Sequence, residues 1–368
     1  MILGVLKDAD NRVAFTPDVV QKLTGVHQVF IERDAGASAF FTDALYTEAG
    51  ATVATAEEVI QKANLLIRIK PPDEAVLQNL SSGSVVISSF QPYNQPDIAE
   101  KLSKYPITVF SMDMLPRTTL AQDKDVLSSM ASMAGYRAVL EAATHLPRYF
   151  PMLTTAAGSI PPAKVLILGA GVAGLQAIAT AKRLGAVVEV FDTRLAVKEE
   201  VQSLGAKFVE VAGAKDDKDA GGYAVEQSEE YKQRQQALIV EKSEKADVII
   251  TTALLRGKKA PILITKETVE AMKPGSIIVD LAAAGGGNCA LTQDNQTVTH
   301  QGITIIGDSS LEAKMPMHAS QLYAKNIFNF LKILTQDGEL ALDFDNPLVD
   351  GACIVHQGQS RYQIPQST

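Results

Sequence analysis

Three glycines and an aspartate near the middle of the chain have the types and spacing of residues that bind a dinucleotide. Gly169, Gly171 and Gly174 form G-x-G-x-x-G directly after the apolar run VLIL, and Asp192 ends the next apolar run. The first glycine of this pattern permits a tight turn, the second lets the backbone approach a pyrophosphate, and the third lets a helix pack closely on a strand. The N-terminus of that helix attracts the phosphate charge. The pattern therefore predicts a dinucleotide site, and a purely structural glycine turn is the alternative.

Asp192 predicts which dinucleotide binds. A carboxylate at the end of the second strand accepts hydrogen bonds from the hydroxyls of the adenosine ribose, and its charge repels a 2′-phosphate. NAD(H) is therefore favoured over NADP(H). Arg194 lies two residues further on and would pair with a phosphate if its side chain turned inward, but a solvated arginine is the simpler interpretation.

Three further segments are candidates for the ligand site. Residues 251–257 and 279–289 each leave a strand and enter a glycine-containing turn, and ligands of open α/β sheets bind at such carboxyl ends. For the second segment, the alternative is that its three glycines, 285–287, only form a turn. Residues 117–128 are polar, and their spacing fits a binding loop and a solvated helix start equally well.

Hydride chemistry on a hydroxy or amino acid needs a side chain that moves a proton, usually a histidine, a lysine or a carboxylate. None of the histidines is predicted at a strand end of the ligand site; they are His27, His145, His300, His318 and His356. Lys70 closes the run LLIRIK and is the one attractive base, with a solvated lysine as the alternative.

These residues need a scaffold of two α/β domains. Up to about residue 115, apolar runs alternate with helical patterns, which predicts a parallel sheet covered by helices. A long helix follows from Asp125, its predicted N-cap, to Leu146, and a second set of strands and helices starts at Val165. Residues 321–334 have the spacing of an amphipathic helix that returns to the first domain.

We therefore predict two Rossmann-like, doubly wound parallel sheets with the cofactor cleft between them. The N-terminal domain comprises residues 1–125 and about 315–368, and the NAD(H)-binding domain comprises about 126–314. The polar stretch near 212–236 is predicted to be a mobile loop, because it is too hydrophilic for a core and too long for an ordinary connection.

The composition excludes several other classes of protein. The chain has 368 residues, with 34 Lys and Arg against 42 Asp and Glu, and its net charge of −8 disfavours nucleic acid or an anionic membrane as a partner. The N-terminus lacks the sustained apolar core of a secretory signal, and no run is long enough for a membrane span. Cys289 and Cys353 stand in no metal or redox spacing, which favours a reducing cytoplasm.

Beyond the glycine pattern, an ordered set of motifs resembles one family. The motifs are NRVAFTPDVVQKL, AGYRAVLEAA, GAGVAGLQAIATAKRLGA, KEEVQSLGAKFVEV, TTAL-x-x-G-x-x-APILIT, MKPGSIIVDLA and GGNC. They resemble the NAD(H)-binding component (domain I) of the proton-translocating NAD(P) transhydrogenases, over nearly the whole chain. The resemblance implies hydride transfer from NADH to NADP⁺ held on a separate subunit, coupled to proton translocation. Hydride that passes from one nicotinamide ring to another requires no general acid or base.

The same resemblance assigns site residues. The nicotinamide end of the cofactor corresponds to Arg117, Gln122, Asp125 and Ser128. The rest of the cofactor corresponds to Gly169, Gly171, Val172, Gly174, Asp192, Thr193, Arg194, Gly222, Gln235 and Leu254. Tyr223 matches a tyrosine of the family's mobile loop. The chain departs from many relatives at Leu120 and Lys314, where they have arginine, and at Arg256, where they have proline. The stretch 308–320 also departs, and we assign it no role beyond joining the two domains.

Alanine dehydrogenase, which shares the two-domain fold, is the alternative. Its family carries a catalytic histidine in the first domain and an aspartate in the second, where this chain has Gln91 and Ala284, which cannot exchange a proton. Arg12 and Lys70 still match substrate-binding positions of that family, so we interpret the first-domain site as a vestige. A non-catalytic NAD-sensing module is a third hypothesis, disfavoured by the polar set in residues 117–128.

The resemblance also implies partners and a location. We expect a homodimer in which a flap or β-hairpin of one copy embraces the other. The expected partners are an NADP(H)-binding subunit and a membrane-embedded proton-channel subunit, which carries the spans that longer alpha subunits append. The expected location is the bacterial cytoplasm, peripheral on the cytoplasmic side of the inner membrane.

Overall fold

A computed structural model describes residues 1–211, 228–254 and 257–362. The chain divides into two compact units. The first unit combines Met1–Met130 with Glu312–Thr368, and the second unit is Ala131–Leu311.

The first unit begins with strands that alternate with short helices. The strands are β1 (Ile2–Val5), β2 (Gln28–Glu32), β3 (Thr52–Ala54), β4 (Leu65–Ile67), β5 (Val85–Ser88) and β6 (Thr108–Ser111). The helices are α1 (Pro17–Leu23), α2 (Asp43–Glu48), α3 (Ala56–Lys62), α4 (Glu74–Gln78) and α5 (Ile98–Leu102). The sequence pattern missed β3, because only one of its three residues is fully buried and no apolar run results.

The long helix α6 (Val126–His145) follows, and the division between the two units falls within it. Asp125 immediately precedes the helix, and its Oδ1 accepts a hydrogen bond from the backbone N–H of Ser128 at 2.9 Å. An N-cap side chain bonds the N3 backbone in this way. The predicted cap is therefore confirmed.

The second unit contains a further set of strands and helices. Its strands are β7 (Leu153–Thr155), β8 (Gly158–Ile160), β9 (Lys164–Leu168), β10 (Val187–Phe191), β11 (Lys207–Phe208), β12 (Val248–Thr251), β13 (Ile277–Asp280), β14 (Thr297–His300) and β15 (Ile303–Ile306). Its helices are α7 (Val172–Arg183), α8 (Lys198–Ser203), α9 (Glu229–Lys245) and α10 (Lys266–Glu270). β7 and β8 pair antiparallel as a hairpin before β9.

Helix α9 corrects one boundary. Residues 229–236 were expected to belong to the mobile loop, but they are helical. Ser228 caps the helix, since its side chain accepts the backbone N–H of Tyr231, and Glu229 and Glu230 suit the positive end of the first turn. The remainder of the predicted loop, 212–227, lies outside the described residues.

The chain then returns to the first unit. Its last elements are α11 (Pro316–Leu334), β16 (Thr335–Gln336), β17 (Glu339–Leu340), α12 (Pro347–Ala352), β18 (Cys353–His356) and β19 (Gln359–Ser360). Helix α11 is the predicted amphipathic helix, and its buried side chains Tyr323, Ile327 and Phe330 join the same core as Leu3 and Val5 of β1. β18 pairs antiparallel with β6, which the sequence did not predict.

The two main sheets share one strand order. The first runs β19-β18-β6-β5-β4-β1-β2-β3 and the second runs β11-β10-β9-β12-β13-β15-β14. In each sheet, the first three strands along the chain are added toward one edge, and the next strand is added on the other side of the first one. The direction of winding therefore switches between β1 and β4 in the first sheet and between β9 and β12 in the second. Ligands of such sheets bind at the carboxyl ends beside this switch point. The predicted doubly wound fold is confirmed.

Both faces of the second sheet are covered. Val165 and Ile167 of β9 belong to one buried cluster, and Leu166 and Leu168 belong to another. Successive side chains of a strand point to opposite faces, so the strand is buried on both sides, as in other doubly wound folds. Among the described residues, no helix is both long enough and apolar enough to cross a membrane.

Candidate functional site

The glycine turn lies at the switch point of the second sheet. Gly169 follows β9 with φ +105°, and a Cβ on it would lie 2.4 Å from Oγ1 of Thr252, which follows β12. A Cβ on Gly174 would lie 2.0 Å from the carbonyl oxygen of Gly169. Only glycine therefore fits at either position, and the start of α7 packs directly on the end of β9.

Gly171 has the opposite surroundings. It is the N-cap of α7; among the described residues, no side chain caps the helix and no atom lies within 4 Å of a Cβ built on it. The first turn of this 12-residue helix contains no acidic residue, and the adjacent Val172 is exposed. Free N–H groups and a positive helix end facing open space form an arrangement that binds phosphate.

Asp192 is buried directly beside this turn and is already fully hydrogen-bonded. Its Oδ2 accepts the backbone N–H of Ala170 at 2.7 Å, and its Oδ1 accepts the backbone N–H of Arg194 at 2.8 Å. The Arg194 guanidinium adds a fork, from Nε to Oδ1 at 2.9 Å and from Nη2 to Oδ2 at 2.8 Å. The expectation of a solvated Arg194 was wrong, because a buried carboxylate two residues away holds its side chain. Thr193, between them, is half-buried.

The charge of Asp192 affects its neighbours. Its hydrogen bonds raise the pKa of the Arg194 guanidinium, against the effect of burial. Burial, and then the negative charge of Asp192, raise the pKa of Tyr231, which is buried at the start of α9.

A second buried aspartate, missed by the sequence reasoning, organises the loops after β12 and β13. Asp280 accepts hydrogen bonds from Thr251 Oγ1 at 2.9 Å, Thr292 Oγ1 at 2.6 Å and the backbone N–H of Asn288 at 2.7 Å. The Asn288 side chain in turn bonds both backbone groups of Ala253 at 3.0 and 2.9 Å. An acid closing a strand and an asparagine after three glycines were the signals in the sequence.

Other residues assigned to the cofactor are spread over these loops and α9. Leu254 is 57% exposed after β12, and Gln235 is half-buried on α9. Ala284 is exposed in the turn after β13. Gly222, Tyr223 and Arg256 lie outside the described residues.

The residues assigned to the nicotinamide end belong to the first unit. Asp125 and Ser128 are brought together, since Ser128 Oγ donates to Asp125 Oδ2 at 2.6 Å in addition to the cap. Arg117 and Gln122 are exposed, and Gln122 lies on a 3₁₀ turn, Thr119–Lys124. Leu120, on the same turn, is also exposed.

The switch point of the first sheet is filled by charged side chains. Arg12, which follows β1, is 3% exposed and pairs with Asp10 through Nη2–Oδ2 at 2.5 Å and with Glu312 through Nη1–Oε1 at 3.1 Å. Asp8 accepts the backbone N–H groups of Ile69 and Lys70, which follow β4, at 3.0 and 2.9 Å. The stretch 308–320 therefore does more than join the domains, because it supplies Glu312 to this cluster.

The acids of this cluster respond differently to burial. Burial disfavours the charged form of Asp10, but the hydrogen bonds and charge of Arg12 outweigh it and lower the pKa of Asp10. Burial raises the pKa of Glu312, and this effect is larger than the lowering by the charge of Arg12. Burial also raises the pKa of Asp8, and this effect is larger than the lowering by the hydrogen bonds from the backbone N–H groups of Ile69 and Lys70. We call Asp8, Asp10, Arg12 and Glu312 the charged cluster.

The histidines lie away from the carboxyl ends of the parallel strands. His300 and His356 each end an antiparallel strand, and His27 directly precedes β2. His145 ends α6 and bonds the carbonyl of Glu141 at 2.9 Å, and His318 lies in the first turn of α11. Gln91 lies close behind the carboxyl end of β5, exposed and in a left-handed conformation with φ +53°.

The fold and the glycine turn define a two-domain α/β protein of the dinucleotide-binding class. Residues 6–134 match the family model for the alanine dehydrogenase/PNT N-terminal domain, and residues 138–363 match the model for the C-terminal domain. The chain belongs to the alanine dehydrogenase/PNT family.

Within this family the chain is similar to transhydrogenases. It is 43% identical to the NAD(P) transhydrogenase subunit alpha of Haemophilus influenzae, over 98% of this chain and 71% of that protein. It is 42% identical to the shorter NAD(P) transhydrogenase subunit alpha chain of Rhodospirillum rubrum, over 96% of this chain and 94% of that protein. The crystal structure of a transhydrogenase from Sinorhizobium meliloti matches with a TM-score of 0.90 and 39% identity, over 98% of this chain and 100% of that one. Alanine dehydrogenases are more distant.

Proposed function

We propose that this chain is the NAD(H)-binding component of a proton-translocating transhydrogenase, in which NADH held by this chain passes hydride to NADP⁺ on a separate subunit. The observation that carries the proposal is the glycine turn at the switch point of the second sheet. It combines uncapped N–H groups, open space over Gly171 and a buried carboxylate at the end of β10. The names of the similar proteins support the same interpretation.

In this proposal the second unit holds the pyrophosphate and adenosine. The N–H groups at Gly171 and Val172 receive the pyrophosphate, and Asp192, Thr193 and Arg194 surround the ribose. Gln235 and Leu254 line the adenosine. The nicotinamide end is assigned to Arg117, Gln122, Asp125 and Ser128.

The side chains at two key positions favour hydride transfer between nicotinamides over amino-acid reduction. Gln91 and Ala284 offer no titratable group where a dehydrogenase of this fold needs one. Arg12, which an oxo-acid carboxylate would need, is already paired with two internal carboxylates. Transfer between two rings needs positioning and the exclusion of water rather than proton transfer.

The proposal extends to partners and location. A homodimer is supported by the β7–β8 hairpin, whose flanking and end residues Met152 and Ile160 are 65% and 43% exposed. Exposed apolar side chains on a hairpin suit a protein interface. The NADP(H)-binding and membrane-embedded partners, and a peripheral position on the cytoplasmic side of a bacterial inner membrane, follow from the family of the similar proteins.

The test incubates NADH with the purified chain in two mixtures and separates NADH, NAD⁺ and NADPH by chromatography, because NADPH absorbs light as NADH does and absorbance alone would not report hydride transfer between them. The first contains pyruvate and ammonium, and the second contains NADP⁺ and a separately purified NADP(H)-binding transhydrogenase subunit. We expect oxidation of NADH only in the second mixture, with Arg117→Ala and Gln122→Ala slowing it without loss of folding. Pyruvate-dependent oxidation would instead identify an amino-acid dehydrogenase, and binding of NADH without turnover in either mixture would identify a sensing module.

A further inference from the structure

The carboxylate of Asp192 has no free acceptor position in this structure. A carboxylate offers about four hydrogen-bond acceptor positions, two on each oxygen. Backbone N–H groups of Ala170 and Arg194 take one on each oxygen, and the guanidinium of Arg194 takes the other on each oxygen. A ribose hydroxyl therefore has to replace an existing donor.

The two kinds of donor differ in how easily they are replaced. The N–H of Ala170 belongs to the glycine turn, which Gly169 and Gly174 fix by close packing, and the N–H of Arg194 belongs to the main chain two residues from Asp192. The guanidinium is the end of a flexible side chain that is 25% exposed. Its departure would open one acceptor position on each oxygen, and the 2′ and 3′ hydroxyls of one ribose supply two donors.

We propose that the Arg194 guanidinium occupies the ribose positions of Asp192 and exchanges with the adenosine diol when NAD(H) binds. Arg194 is then a specificity-determining residue that competes with the cofactor for the same carboxylate. This inference rests on the proposed function, because it assumes that a dinucleotide ribose reaches Asp192.

The exchange also accounts for discrimination against a 2′-phosphate. A phosphate is an acceptor and cannot replace the guanidinium on Asp192, and it meets the negative charge of that carboxylate. While Nε and Nη2 of Arg194 hold Asp192, the same pair of nitrogens cannot form a fork with the phosphate. Asp192 thus excludes NADP(H) in two ways, by the repulsion of its own charge and by holding the guanidinium of Arg194.

The first experiment measures the Kd of NADH and of NADPH by fluorescence titration for the wild type and Arg194→Ala. Removal of the competing guanidinium is expected to lower the Kd of NADH about three- to tenfold, an effect of the size of one partly exposed ion pair, and to leave NADPH excluded. Unchanged or weaker NADH binding by a folded Arg194→Ala variant would overturn the inference.

A matched control is available in the same unit. Arg148 pairs with Asp247 at 3.2 Å. Asp247 directly precedes β12, so this ion pair lies at the amino ends of the parallel strands, away from the carboxyl ends where Asp192 lies. Arg148→Ala removes one arginine and one ion pair, so it changes the net charge as Arg194→Ala does, while Asp247 keeps Lys273 at 3.2 Å. It is expected to leave the Kd of NADH unchanged. An equal tightening in this control would attribute the effect to net charge and overturn the inference.

The second experiment measures the selectivity for NADH over NADPH in variants of Asp192 and Arg194. Asp192→Asn releases Arg194 and is expected to gain NADPH binding, whereas Asp192→Asn with Arg194→Ala is expected to lose that gain. Equal NADPH affinity in the single and double variants would overturn the role of Arg194. These failures differ from failure of the proposed function, which would appear as a wild type that binds no NADH.

Discussion

The two sheets wind in the same order, yet their switch points hold opposite chemistry. Beside β9 and β12 the chain places glycines, uncapped N–H groups and open space. Beside β1 and β4 it places the charged cluster, in which buried acids and Arg12 satisfy one another. The same backbone position is thus open to a ligand in one unit and filled from within in the other.

This difference separates what the fold supplies from what the residues supply. The winding of the strands creates a crevice at the switch point in both units. In the second unit the absence of side chains leaves backbone donors for an anion. In the first unit the side chains bring their own counter-charges, so the crevice serves stability rather than binding. Substitutions in the two units test this division.

The largest effect is expected for Arg12→Met. The substitution leaves Asp10 and Glu312 in a buried place without their shared cation, and breaking a buried ion pair from one side costs about 3–5 kcal/mol. Urea unfolding at neutral pH measures the loss. Arg148→Met, at a half-exposed arginine paired with Asp247, should cost about 1 kcal/mol or less. Equal losses of unfolding free energy in the two variants would show that the charged cluster stabilises the protein no more than an ordinary half-exposed ion pair does.

An intermediate effect is expected within the glycine turn. Gly174→Ala forces a methyl group to within 2.0 Å of the Gly169 carbonyl oxygen, and overpacking of this kind costs about 1–3 kcal/mol of unfolding free energy. Gly171→Ala meets no atom within 4 Å in the described part of the chain, so it should cost about 1 kcal/mol or less but weaken NADH binding about tenfold. Urea unfolding and NADH titration separate the two. Full NADH affinity in Gly171→Ala would remove the pyrophosphate from this turn.

The smallest effect concerns pH. Burial raises the pKa of Glu312 above its usual value of 4.5, so this carboxyl binds more protons in the folded protein than in the unfolded chain. Its contribution to the free energy of unfolding therefore falls as pH rises above about 4.5. The unfolding free energy of the wild type relative to Glu312→Gln should therefore decrease as the pH rises from about 4.5 and become constant above the raised pKa of Glu312, with a slope of at most about 1.4 kcal/mol per pH unit.

Asp10 provides the contrast for this measurement. Its pKa is lowered from 3.8, so its contribution is lost only as pH falls below that value. The wild type relative to Asp10→Asn should show no trend between pH 4.5 and 8. Parallel trends in the two variants would contradict the assignment of opposite pKa shifts within the charged cluster.

The spacing of residues in the sequence correctly predicted the structural features that depend only on neighbouring residues along the chain. The glycine turn, the Asp125 cap and the amphipathic α11 each depend on residues within one or two turns of chain, and each lies where the pattern indicated. Short elements such as β3 and β18 were missed, because they are strands only through pairing with distant partners.

The side-chain pairings could not be predicted in the same way. Arg194 and Asp192 are two residues apart, but spacing does not say whether an arginine turns toward a carboxylate or toward water. Arg12 and Glu312 come from opposite ends of the chain, and only the folded first unit brings them to 3.1 Å. Asp280 and Asn288 belonged to segments that were recognised, but their role as a hydrogen-bonded frame required the loops to be in place.

The first unit is built from both ends of the chain, and this has a consequence for biosynthesis. Its core joins Leu3 of β1 and Phe110 of β6 to Phe330 of α11 and Cys353 of β18, whereas the second unit is one continuous stretch. A ribosome releases the second unit complete while α11 and β18 are still to be made. We expect the second unit to fold first. The earliest strands then wait for α11 and β18 with an apolar face uncovered, which is the state that chaperones bind.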